Sequence, residues 1–182
     1  MEDPRYPIGT FAPPVSYTPE GRQAFTREIA ELPSRLRAAV AGLTPEQLQH
    51  PYREDGWSVA QVVHHLADSH MNAYVRFKLA ATAENPTVVG YDEAAWARLP
   101  DAVATRLDGS LALLDALHAR WVSFLESLPP EGFARTYNHS VLGPFALDRA
   151  LALYAWHGRH HVAHITGLRA RQGWSAASAT RD

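Results

Sequence analysis

Four stretches of the chain place apolar residues at steps of three and four, the period of a helix with one face turned to a core. In the first, Phe25, Ile29, Leu32, Leu36, Val40 and Leu43 follow Thr18-Pro19-Glu20, which reads as a cap, a proline at the first helical position and an acid in the first turn. This predicts a helix over about 19–42, with Pro33 expected to kink or break it because proline has no amide hydrogen. Thr44-Pro45-Glu46-Gln47 repeats the start signal over a short span that Pro51 closes. The second long stretch opens on the capping box Ser58 and Gln61. It carries Val59, Val62, Val63, Leu66, His70, Ala73, Tyr74 and Phe77 over about 59–83.

The third begins at Ser110 and runs through Leu111, Leu114, Leu117, His118, Trp121, Phe124, Leu125 and Leu128 to a stop before Pro129-Pro130. In the fourth, over about 146–172, Leu147, Ala150, Tyr154, His157, His161, His164 and Leu168 share one face, and Gly173 supplies the stop. The connections 84–109 and 129–145 read as long loops, the first with a short helical turn around Asp92 to Arg98. Long loops in compact domains are often functional. Pro4, Pro7, Pro13 and Pro14 make residues 1–17 an extended arm laid on the domain, and the small-residue tail 175–182 is expected to fray. The pattern predicts one all-α domain over 1–182, a four-helix bundle with long connections.

Composition narrows the partners. The net charge of -2, without a long basic run, argues against a nucleic-acid surface, and no stretch approaches the roughly 18 apolar residues of a membrane span. Glu2, Asp3 and the early prolines do not resemble a secretory leader, so a cytoplasmic protein with a small-molecule partner is expected. There is no cysteine, so a metal site would have to be built from nitrogen and oxygen.

Histidine supplies that chemistry. His157, His161 and His164 replace leucines on a core-facing stripe, and buried imidazoles need partners. His157 and His161 are one turn apart, the spacing of a chelating pair, and so are His160 and His164. The second helix adds His64, His65 and His70, of which the stripe favours His70 at least as much as His65, and sites in bundles form from facing side chains. Gly158 and His161 stand where a zincin helix would place its glutamate, and 59–83 and 146–172 hold no glutamate for a di-iron site. A mononuclear three-histidine site is therefore expected. Asp68 is a carboxylate candidate for it, or an acceptor from a histidine ring. His50, His118 and His139 read as structural or solvated, Arg53 and Arg76 as solvated or paired surface arginines with binding of an anionic substrate as the alternative, and Trp57, Tyr154 and Trp156 as packing. Tyr91, Asp92 and Trp96 are lid candidates on the long loop.

The stretches "YPIG", "PYREDGWSVAQVVHHLADSHMNAYVRFKL", "YDEAAW", "SLALLDALHARW" and "LYAWHGRHHVAHI" make the chain resemble the DinB-like four-helix-bundle metalloproteins, in particular their YfiT branch of metal-dependent hydrolases. The resemblance implies His65, His157 and His161 as ligands of divalent zinc or nickel, with open positions for water, in a homodimer. Three neutral imidazoles would leave such an ion its full charge and lower the pKa of bound water from 15.7 towards roughly 7, which makes attack on an amide or ester the expected chemistry. His164 is then either a proton shuttle or a satisfied core histidine. Relatives that transfer a low-molecular-weight thiol imply an alternative, thiol S-transfer at the same open position. A metal-binding stress-response module without turnover is the third reading.

Overall fold

The start signals form as capping hydrogen bonds. In the computed structural model, which describes residues 3–174, the Thr18 hydroxyl accepts from the Gly21 amide at 3.1 Å and opens α1, Pro19–Val40. Thr44 and Gln47 exchange the two bonds of a capping box around the short α2, Pro45–Gln49. Ser58 and Gln61 do the same at the head of α3, Val59–Thr82. Each box satisfies two backbone donors that a helix start would otherwise leave unpaired. α4, Glu93–Trp96, is a single turn capped by Asp92, α5 spans Asp108–Ser127, and α6 spans Leu147–Gln172. α6 stops at Gly173, whose φ of 65° is left-handed backbone that glycine adopts without strain. The tail 175–182, expected to fray, lies outside the described residues.

The four long helices form the expected bundle. α1 packs against α5 and α6, and α3 packs against the same two, so α1 and α3 share a diagonal. One apolar cluster buries Leu32, Leu36, Val62, Leu66, Leu114 and Ile165, and a second buries Ile29, Phe77, Trp121, Leu125, Leu147 and Leu151. Along α3, α5 and α6 the side chains of His70, His118 and His157 fall between the two, so a layer of imidazoles crosses the bundle. Among the described residues no helix is long and apolar enough to cross a membrane.

Pro33 does not break α1, which is helical on both sides of it. Its missing amide leaves the Ile29 carbonyl, four residues back, without a helical donor. That carbonyl accepts from His118 Nδ1 at 2.6 Å instead, so a tertiary contact replaces the lost bond.

The two long connections are more ordered than loops. β1, Thr87–Val88, comes from the first, while β2, Thr136–His139, and β3, Gly143–Ala146, come from the second after a 3-10 turn at Pro130–Ala134. β1 runs parallel to β2, and β2 pairs antiparallel with β3 in the register Tyr137 to Phe145. Strands of two to four residues that include Gly143 and Pro144 are too short to show alternation in sequence. From the N-terminal arm, Phe11 lies 5.9 Å from Trp156 and Tyr6 lies 6.2 Å from His160, ring centre to ring centre.

Candidate metal centre

α3 brings His65, and α6 brings His157 and His161 from successive turns, to one point. Nε2 of His157 lies 3.3 Å from Nε2 of His65 and 3.1 Å from Nε2 of His161. Nitrogens about 2.1 Å from one ion would stand roughly 3.4 Å apart at tetrahedral angles and roughly 3.0 Å apart at right angles. The observed spacing is one that could hold an ion. Among the described residues no other three histidine, aspartate or glutamate side chains converge in this way. An all-imidazole set suits zinc, nickel, copper or iron.

The outer nitrogens of the two α6 residues show why these rings present Nε2. A carbonyl oxygen only accepts, so His118 Nδ1 must donate to Ile29 O, which leaves His118 Nε2 to accept from His70 Nδ1 at 3.0 Å. His70 Nε2 in turn accepts from His157 Nδ1 at 3.2 Å. The network therefore assigns the His157 proton to Nδ1 and its lone pair to Nε2, toward the other two rings. A second chain repeats the logic: His164 Nε2 donates to the Arg5 carbonyl at 3.2 Å, and His164 Nδ1 faces His161 Nδ1 at 3.4 Å. Its free lone pair can accept only if His161 carries its proton on Nδ1. Two backbone carbonyls thus set the tautomers of two candidate ligands through intervening histidines.

Burial keeps these rings neutral. Desolvation pushes His70, His157 and His161 well below the ordinary histidine range, with the neighbouring imidazoles adding to the shift, and lowers His118. His65 and His164 are lowered to about 4, each by burial first and then by His160. Neutral imidazole is the form that ligates, so little proton loss is needed near pH 7.

The structure separates the two pairs that spacing left equal. His157 and His161 face His65, whereas His164 is spent on Arg5 and stacks on Tyr52 at 4.0 Å. His160 stacks on Trp156 at 4.5 Å, with Nδ1 lacking a hydrogen-bond partner among the described residues. His64 is buried away from the cluster, bridging Ser110 Oγ at 2.8 Å and the Ala104 carbonyl at 2.9 Å. Asp68 is not brought to the site and bonds no histidine ring among the described residues, because histidines occupy the outer positions it was expected to serve. His118, read as structural or solvated, is the buried anchor of a chain that reaches His157. Its signal was available in two places, a histidine on the α5 stripe and a proline inside α1.

A cavity of about 250 Å³ opens beside His157, lined also by Ser69, Arg76, Tyr91, Glu93, His139 and Tyr154. The lid candidates contribute to it unequally: Tyr91 lines it, Trp96 packs on Tyr91 at 4.4 Å, and Asp92 caps α4. Trp57, expected only to pack, lies 4.6 Å from the His65 ring and 6.5 Å from the His161 ring, and so borders the cluster. Arg76 is not a surface arginine. It is buried and, among the described residues, donates only to the Tyr154 hydroxyl at 3.3 Å and the Val89 carbonyl at 3.4 Å.

Fold and site together define a four-helix bundle with a three-histidine candidate metal centre. The chain belongs to the DinB superfamily, whose family model matches residues 28–165. Proteins of Bacillus mycoides (strain KBAB4) and Bacillus cereus (strain B4264), both named "putative metal-dependent hydrolase", are each 51% identical over 174 residues, covering 96% of this chain and all of theirs. The solved structure of YfiT from Bacillus subtilis, described as a probable metal-dependent hydrolase with an unusual four-helix bundle topology, matches with a TM-score of 0.92. It is 47% identical and covers 94% of this chain and 99% of its own. A further solved four-helix bundle protein, 21% identical with a TM-score of 0.55, shares the fold.

Proposed function

We propose that the chain is a metal-dependent hydrolase in which His65, His157 and His161 hold one divalent zinc or nickel ion, and that it cleaves an amide or ester bond of a small molecule. The observation that carries this reading is the convergence of three neutral Nε2 atoms, 3.1 and 3.3 Å apart, beside a small cavity. The names of the two Bacillus relatives and of YfiT support it.

A divalent ion bound there supplies Lewis acidity and acidifies water at its open position. The chain's own residues supply the rest. The two carbonyl-anchored chains hold the rings of His157 and His161 in register, so that neither has to change tautomer. Burial raises the hydroxyl pKa of Tyr91 and Tyr154, so both stay protonated as donors at the cavity wall. Among the described residues the Tyr91 hydroxyl closes no full hydrogen bond, and only Ser69 pulls on it, so it can donate to a substrate oxygen. Desolvation also raises Glu93, against the opposing pull of Arg76, which moves this cavity carboxyl toward a pH where it can exchange a proton.

The test is turnover of a panel of small amides and esters by metal-loaded protein, by protein stripped with a chelator, and by His157→Ala. Hydrolysis confined to the loaded wild type supports the reading, and equal rates in all three contradict it. Mass spectrometry of the same reactions with an added low-molecular-weight thiol separates water from thiol as the nucleophile. A thioether product would retain the site and replace the reaction.

A further inference from the structure

Arg76 is the one cavity-lining cation beside His157 among the described residues, and its surroundings do not explain it. The residue is 8% exposed, yet no carboxylate lies within 4 Å of its guanidinium among the described residues. Its two protein acceptors, a phenol and a carbonyl at 3.3 and 3.4 Å, are neutral and distant. Burying a charge without a counter-ion is costly, and a guanidinium offers five donors in a planar fork that fits a carboxylate or phosphate through two parallel bonds. The groups that face it are consistent with a waiting positive charge. Burial and then Arg76 itself hold His139 neutral, and the Tyr154 hydroxyl accepts from the arginine. Glu93 lines the same cavity and is attracted by Arg76, but the two form no salt bridge among the described residues.

The cavity walls add shape to that charge. Gly90 lies so close to His139 that a Cβ there would meet His139 Cε1 at 3.0 Å, so a glycine lets the loop close over this wall. Val141 and Leu142, at the tip of the β2–β3 hairpin, also line the cavity and are 78% and 60% exposed, which makes an apolar lip. At about 250 Å³ the space is smaller than the roughly 300–1,000 Å³ of drug-sized sites.

We infer that this cavity is an anion subsite, with Arg76 as its binding group, and that the substrate is a small amphipathic compound carrying a carboxylate or phosphate that docks on Arg76 while its reacting carbonyl lies toward His157. This assignment rests on the proposed hydrolytic reading for the identity of the reacting group, but not for the anion site.

The test uses the full chain, metal-loaded and metal-stripped, titrated calorimetrically with N-acetylglycinate and with its uncharged analogue N-acetylglycinamide, in wild type, Arg76→Gln, Arg76→Lys and Glu93→Gln. The expected result is that the anion binds both forms of the wild type in preference to the amide, and that Arg76→Gln weakens it roughly ten- to a hundredfold with unchanged metal content. Arg76→Lys should retain part of the affinity, and Glu93→Gln should tighten it by removing the neighbouring carboxyl. Equal binding of the two probes, or anion affinity indifferent to Arg76→Gln, overturns the proposal. Binding that needs the metal and ignores Arg76 marks the anion as a ligand of the ion and also overturns it. If Arg76→Gln does not fold, anion binding unchanged by both Arg76→Lys and Glu93→Gln overturns it. Metal content measured on each sample reports separately on the three-histidine site.

Discussion

The Ile29 carbonyl accepts from His118 Nδ1 at 2.6 Å, in place of the helical amide that Pro33 cannot provide. A proline inside a helix ordinarily costs about 3 kcal/mol. Here the freed carbonyl becomes the fixed end of a hydrogen-bond chain through His118 and His70 to His157. Replacing His118 by phenylalanine leaves both the carbonyl and His70 Nδ1 buried without partners. Metal-free His118→Phe should lose about 1–3 kcal/mol in denaturant unfolding. Its metal affinity, read by chelator competition, should fall roughly 10- to 100-fold. Unchanged affinity would remove the chain from any role in setting the ligand.

Pro33→Ala restores an amide that competes with His118 for the same carbonyl. Nitrogen NMR of the histidine rings should then show His118, and with it His70 and His157, sampling both tautomers, where the wild type shows one. Spectra identical to wild type would mean that the carbonyl does not set the protonation pattern.

The buried histidines make metal-free stability depend on pH in a defined direction. Their folded pKa values lie below the ordinary 6.5, with His65, His160 and His164 near 4. Between those values the unfolded chain binds protons that the folded chain refuses. Stability should therefore be full above about pH 6.5 and fall as pH drops toward 4, each such group adding a slope of up to about 1.4 kcal/mol per pH unit. Denaturation midpoints measured from pH 8 to pH 4 check this, and a flat profile would mean that the imidazoles are not buried neutral.

Gly158 follows His157 for a reason of packing. A Cβ at that position would stand 2.8 Å from Cδ2 of Leu32, which is buried where α1 meets α6. Overpacking typically costs about 1–3 kcal/mol, against a helix-propensity gain of about 0.5–1 kcal/mol for alanine. Gly158→Ala should thus lower the melting temperature by a few degrees. A higher melting temperature would show that Leu32 yields freely.

The bundle was legible because its signals are local: Thr18, Ser58 and Gly173 mark helix ends, and the α6 stripe steps evenly from Leu147 to Leu168. The sheet was not, because two-residue β1 acquires its partner β2 from about fifty residues away. Spacing located the histidine cluster but gave His157 with His161 and His160 with His164 equal standing, and His70 equal standing with His65. What distinguishes them is the direction of each ring's second nitrogen, which depends on Arg5 and Ile29, residues remote in sequence whose backbone oxygens do the selecting. The surface reading of Arg76 fails for a similar reason. Its burial comes from the loop 84–109 and the β2–β3 hairpin, where composition carries little information.

Elemental analysis of protein purified without a nickel column reads out the three-histidine metal site itself. About one divalent ion per wild-type chain is expected, lost in His65→Ala, His157→Ala and His161→Ala and retained in His160→Ala. Stoichiometric metal in all three ligand variants would contradict it.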